Sequence, residues 1–243
     1  MKPQSSPKSH LTALTLATVV SIALWFLPFL RWVTVPVQYL NTHIHEACHA
    51  ITAVATGGVV SHIEVHANGN GETYTGQGIE FLISSAGYVG ASLVGALIIA
   101  FARTPKAAKV VLVGLGVTLI YSLIVWVRGD LFGQASCVAW IVALWAMAFY
   151  LDDDKRLFAA QLIGVQQCVN SIQSVFFLIQ ISGFGVKQSD AGNMEAATHI
   201  PAIVWSVLWC AISLGLMFLA LRLSWQASRR TIPSSKYGQE SAS

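Results

Sequence analysis

Charge is what this chain lacks. Of its 243 residues only 10% are Asp, Glu, Lys or Arg, where a soluble domain carries about a quarter. A chain so poor in charge and 55% hydrophobic is neither disordered nor an ordinary soluble enzyme. The charge balance is small as well: 14 basic against 11 acidic side chains leave +3, too little to point to nucleic acid. Cysteine is scarce. Cys48, Cys137, Cys168 and Cys210 each sit in a different apolar segment with no CxxC spacing. They read as small buried thiols, not as a disulfide framework or a thiolate metal site.

What is present is a series of long uncharged runs, at about 11–30, 32–56, 81–102, 108–127, 131–151, 157–182 and 199–221. Each approaches the roughly 20 residues that cross a bilayer as a helix. The expected fold is an α-helical polytopic membrane protein with six to seven membrane helices. The count is six if the first two runs form a hairpin that does not fully cross. Lys2 and Lys8 precede the first run, but no small-residue cleavage pattern follows, so it reads as an uncleaved span. Residues 1–10 form a polar N-terminal tail, 11–224 a single membrane-embedded domain and 225–243 a polar C-terminal tail.

Residues 57–80 are of a different kind. Ile63, Val65 and Ala67 alternate with His62, Glu64 and His66, and Asn68-Gly69-Asn70-Gly71 follows. Alternation and an Asn-Gly pair predict a short β-hairpin at about 58–76. With seven crossings, the side carrying the N-terminus and the hairpin has four Lys and Arg, and the side carrying the C-terminus has ten. The positive-inside rule then places the C-terminus in the cytoplasm. Trp25, Trp32, Trp126 and Trp225 fall near run ends and suit an interfacial belt. Gln166, Asn170 and Gln173, with Ser174 beside them, form a polar stripe in the sixth run, expected to bond between helices. Gly87, Gly90, Gly95, Gly114 and Gly116 are expected to allow close helix packing, and Asp152-Asp153-Asp154 to be a solvated loop.

The chemistry is concentrated in His45-Glu46-Ala47-Cys48-His49, an HExxH sequence. On a helix, positions i and i+4 are about 40° apart, so both imidazoles can share one metal. Glu46 is offset by about 100°, beside the metal, where it can take a proton from a bound water. Chance would give this motif in about one such chain in 200. Its place inside an otherwise uncharged segment strengthens it, because intramembrane ionisable groups are costly and usually functional. The competing reading is a polar packing cluster. A catalytic zinc site takes a third protein ligand. His43 is turned about 200° from His45. His62 and His66 are about 13 Å apart along a strand and cannot chelate together. His199 reads as the start of the last run, which leaves Asp190 and Glu195 as acidic candidates.

The string His45-Glu46-Ala47-Cys48-His49-Ala50, then Thr56-Gly57-Gly58, the Ile63 strand and Ser84-Ser85-Ala86-Gly87-Tyr88-Val89-Gly90 resembles the site-2 protease family of intramembrane zinc metalloproteases, its small bacterial branch in particular. Arg128-Gly129-Asp130-Leu131-Phe132-Gly133, Ser189-Asp190-Ala191 and Pro201-Ala202-Ile203-Val204-Trp205 extend the resemblance over about 45–209. It implies Zn2+ held by His45, His49 and Asp190, and Glu46 as general base. It also implies a peptide or membrane-protein substrate and a place in the bacterial cytoplasmic membrane. The sequence departs from larger members around the third ligand: they carry Asn-Pro…Leu-Asp-Gly, and this chain has Gln188-Ser189-Asp190-Ala191-Gly192. The resemblance also implies a cytoplasmic hairpin, opposite to the charge count. The hairpin either caps the bundle or offers an edge strand to an unwound substrate. Two other functions fit the same residues: an inactive metal- or partner-binding membrane protein, and a metal-dependent lipid hydrolase.

Overall fold

Each long apolar run becomes a helix. The computed structural model describes residues 7–26, 31–182 and 189–230. Among them α1 covers Pro7–Phe26, α2 Arg31–Ala55, α3 Glu80–Phe101, α4 Pro105–Val125, α5 Leu131–Tyr150, α6 Asp153–Ser182, α7 Asp190–Thr198 and α8 Ala202–Arg230. Between α2 and α3 lie β1 Val59–Val65 and β2 Gly71–Gly76. Gln188 and the side chains of Trp25, Trp32 and Ser174 lie outside the described residues.

The polar separators act as helix start signals. Thr104 caps α4 by accepting from the Ala107 amide at 3.2 Å, and Pro105 occupies the first turn, where its missing N–H costs nothing. Asp130 caps α5, accepting from Phe132 N at 2.8 Å. Ser189 caps α7, accepting from Gly192 N at 3.1 Å. Glu195 accepts from Ala202 N at 2.9 Å, which ties α7 to the start of α8. His199 ends α7 with φ 59°. The sequence gives no sign of α7, since nine mostly small and polar residues show no apolar period.

Among the described residues four helices are long and apolar enough to cross a membrane: α3, α4, α5 and Ala202–Ala227 of α8. Ser9–Leu24 in α1 is apolar but shorter. The six to seven crossings expected from the sequence are therefore not reached on length and composition. The helices α2 and α6 fall short because they carry the polar groups, His43, His45, Glu46 and His49 in one, Gln161, Gln166, Gln167 and Gln173 in the other. Large apolar side chains cover the outer faces, with Val110 71%, Ile124 68% and Phe218 66% exposed. Polar ones turn inward: Ser92 donates to Ser213 at 2.7 Å, and Gln161 to the Ala102 carbonyl at 2.7 Å. This arrangement suits a lipid exterior, where polar groups must find partners inside the protein.

The central helix is α3, packed against α2, α6 and α8. Two buried clusters flank it, one around Leu40, Ile98, Leu112 and Leu144, the other around Leu14, Ile99 and Val165. Among the interhelical bonds of α6 are those of Gln161, of Gln167, which meets Asn41 of α2, and of Cys168, which donates to the Ser92 carbonyl at 3.4 Å. Trp126 corrects another expectation. It is 6% exposed and packs under the hairpin with Ile63 and Val65, because its neighbours Val127 and Arg128 run beside β1.

Ser9 donates to Asp154 at 2.5 Å, and His10 lies 3.4 Å from Gln161. The start of α1 therefore sits at the end of the bundle formed by the α3–α4 and α5–α6 turns, opposite the hairpin. Seven strictly alternating crossings would have put it on the hairpin side. The Asp152–Asp154 segment is paired at that end, with Lys155 3.0 Å from Asp152 and Arg156 2.9 Å from Asp153.

The hairpin lies along α2. Its base stays at the end of the helix, where Gly58 N bonds Ala53 O at 2.7 Å. Its tip reaches back more than two turns, where Tyr39 donates to Ala67 O at 2.7 Å and Thr42 to Gly69 O at 2.8 Å. The strands are antiparallel, with Ile63 opposite Thr73 and Val65 opposite Gly71. On the outer edge of β1, Ile63 N bonds Trp126 O at 2.8 Å, and Arg128 N bonds Ile63 O at 3.1 Å. These bonds decide which edge is free. The backbone groups of Ile63 point away from β2, so Ile63 and Thr73 form a non-hydrogen-bonded pair. The N–H and C=O of Thr73 then point away from β1, onto the outer edge of β2.

Candidate metal centre

His45 and His49 sit one turn apart on α2 and project toward α3 and α7. Their Nε2 atoms are 3.0 Å apart. Asp190 Oδ2, from the first turn of α7, lies 3.1 Å from His45 Nε2 and 3.3 Å from His49 Nε2. Tetrahedral coordination at 2.0–2.2 Å sets donor atoms about 3.3 Å apart. The three edges match that spacing within a few tenths of an ångström, so the donor set fits one zinc ion by chemistry and by size. It is the only such group of His, Cys, Asp or Glu found among the described residues.

The tautomer of His49 supports the fit. Its Nδ1 lies 2.6 Å from the Ile83 carbonyl, which can only accept, so Nδ1 carries the proton. The Nε2 lone pair then faces His45 and Asp190, the arrangement in which a backbone carbonyl orients a ligating imidazole. Gly87 of α3 faces this triangle. A Cβ there would collide with the Nε2 atoms of both His45 and His49. The role expected for Gly87, close packing, is met in a specific place: it makes room for the imidazoles.

Glu46 is buried, at 4% exposure, between α2 and the hairpin. Thr73 of β2 places its hydroxyl 2.7 Å from Glu46 Oε2 and 3.1 Å from the Glu46 carbonyl. Gly71 leaves room for the same carboxylate; a Cβ there would meet Oε1 at 2.6 Å. Aromatic rings close another side. Tyr88 packs edge-on to His45, with centroids 4.6 Å apart, and stacks on Trp209 of α8 at 5.4 Å.

The remaining candidates lie elsewhere. His43 Nε2 is 2.9 Å from Ser136 Oγ, on the far side of α2, as its rotation predicts. His62 stacks on Tyr74 at 4.3 Å, and His66 meets Asp130 at 3.1 Å; both pack the hairpin. Tyr74 donates to Glu72 at 2.6 Å, and that bond pushes its phenol up to about 12. Glu195 and His199 serve the α7–α8 corner. Thr73 and the Ile83 carbonyl escape sequence reading. The first is an ordinary strand threonine, and the second is a backbone atom with no side-chain signal.

A family model described as Peptidase M50B-like matches residues 13–220. No curated protein and no solved structure matches the chain.

Proposed function

Since the chain belongs to the Peptidase M50B-like family, that of the site-2 proteases, we propose that it is a membrane-embedded zinc endopeptidase cleaving membrane-associated or transmembrane proteins. The observation that carries this reading is the convergence of His45, His49 and Asp190 beside a buried glutamate. His45, His49 and Asp190 would hold the ion. When bound there, zinc supplies a Lewis acid that lowers the pKa of water toward about 7 and polarises the scissile carbonyl.

The other roles belong to the chain. Glu46 accepts the proton of the attacking water and delivers it to the leaving amine. Thr73, bonded to Glu46 Oε2, aims that carboxylate. The same residue turns its backbone N–H and C=O outward. Outside the hairpin no backbone partner takes them up among the described residues. An extended substrate pairing with this edge would lie beside Glu46. Peptide bonds in a helix are hydrogen-bonded and shielded, so an unwound segment is the form that can react. Tyr88 and Trp209 keep bulk water from His45. In this reading α1, α2 and α6 join the four apolar helices in the bilayer, a bacterial cytoplasmic membrane by family resemblance.

Zinc analysis of the detergent-purified protein is the first test. The expected result is about one zinc per chain, lost in His49→Ala and in Asp190→Ala. Glu46→Gln should keep its zinc and lose cleavage of a fluorophore-quenched casein by at least about 100-fold, the low end of general acid–base contributions. Zinc without any Glu46-dependent cleavage would favour an inactive metal-binding protein, a reading that the unusual sequence around Asp190 motivates.

A further inference from the structure

An apolar slot of about 640 Å³ opens between α2, α3 and α4. It backs onto the HExxH turn: Ala47 and Cys48 line it, with Ile98 and Phe101 from α3 and Val111 and Gly114 from α4. The one hydroxyl on its wall, that of Thr118, donates to the Gly114 carbonyl at 3.0 Å, so nothing polar is left to offer a ligand along its length. Gly114 was expected to pack closely, but a Cβ there would meet nothing within 4 Å. The slot follows α4 from Ala107 to Leu119, a rise of about 18 Å, close to the roughly 15 Å depth of one leaflet's hydrocarbon.

One end is basic. The α3–α4 turn closes the slot between Phe101 and Ala107, and Arg103, Lys106 and Lys109 lie on or just after it. Among the described residues none of these three forms an ion pair with a carboxylate. Lys109 sits over the Phe149 ring at 4.3 Å. The acidic groups at this end of the bundle are already engaged, Asp152 with Lys155, Asp153 with Arg156 and Asp154 with Ser9. The N-terminus of α4 adds its partial positive charge at the same place.

We propose that this slot holds one acyl chain of an anionic phospholipid, with the phosphate at the Arg103–Lys106 turn. Charge separates this occupant from the other one a membrane offers: an anionic lipid brings a phosphate to the basic α3–α4 turn together with a chain that follows the slot, whereas an apolar helix would leave Arg103 and Lys106 without an anion. The bound chain would brace the back of α2 against α3, on the side of the helix opposite Glu46 and Thr73. A lipid there acts as a wedge that holds the HExxH turn in place.

The test compares wild type, Lys106→Glu and Gly114→Leu in nanodiscs of equal phosphatidylglycerol and phosphatidylcholine, with bound lipid counted by native mass spectrometry after extraction. Wild type should retain one phosphatidylglycerol per chain and unfold about 5 °C higher in phosphatidylglycerol than in phosphatidylcholine. Lys106→Glu should keep a bound lipid but lose the headgroup preference. Gly114→Leu fills open space and should lose both lipids. Both variants should keep the zinc content of wild type, which separates lipid loss from collapse of the metal centre. Absence of a preference in wild type, or equal retention in all three proteins, would overturn the proposal, the second result leaving the slot to a partner's helix.

Discussion

Thr73 is the residue at which positioning can be told from packing. Thr73→Val keeps the shape and removes the donor to Glu46 Oε2. A hydrogen bond to a charged group contributes about 1.5–3 kcal/mol, so kcat for casein cleavage should fall roughly 10- to 100-fold with zinc content unchanged. Thr73→Ser should restore most of it. A rise in KM alone, or no rescue by serine, would show that the hydroxyl does not serve the base. His45, Glu46 and His49 were readable because the helical period turns one local string into a shared face. Thr73 was not, because its role depends on a contact across 27 positions.

At the scale of the element, the hairpin contributes its position as much as its strands. Alternation and Asn-Gly foretold β1 and β2, but not that they lie back along α2. That placement follows from tertiary bonds: Tyr39 and Thr42 hold the tip, and Trp126 with Arg128 occupies the outer edge of β1. The edge of β1 is thus taken at Ile63, while that of β2 is open at Thr73 among the described residues. Thr75 is two residues from Thr73 and shares its outward N–H by strand alternation. Thr75→Pro therefore removes an edge donor without breaking the ladder. Its expected effect is a several-fold higher KM for casein with zinc retained. An unchanged KM would assign the hairpin to capping the bundle. The short helix α7 makes the complementary point. Nothing in its composition announces a helix, yet the Ser189 cap starts one and sets Asp190 in its first turn, facing the two imidazoles.

Across the whole molecule, the two ends of the bundle differ. The start of α1, the α3–α4 turn and the α5–α6 turn share one end, and the base of the hairpin lies at the other. Labelling with a membrane-impermeant maleimide in sealed vesicles should find Ser9→Cys and Lys155→Cys reactive from one face and Gly76→Cys from the opposite face. Ser9→Cys reacting together with Gly76→Cys would restore seven alternating crossings and remove α1 from its place beside Asp154.

The sequence by itself determined the material of the protein and the core of its chemistry. Charge-poor runs dictate helices, alternation dictates a hairpin, and HExxH dictates two imidazoles and a carboxylate on neighbouring faces of one helical turn, since each of these signals is local and periodic. Tertiary structure alone decided what brings distant parts together: Asp190 against two imidazoles, that of His45 145 positions away, Thr73 on Glu46, Gly87 as the space the imidazoles need, and an open slot at Gly114. These depend on how α2, α3 and α7 pack, and packing leaves no period in the chain to read.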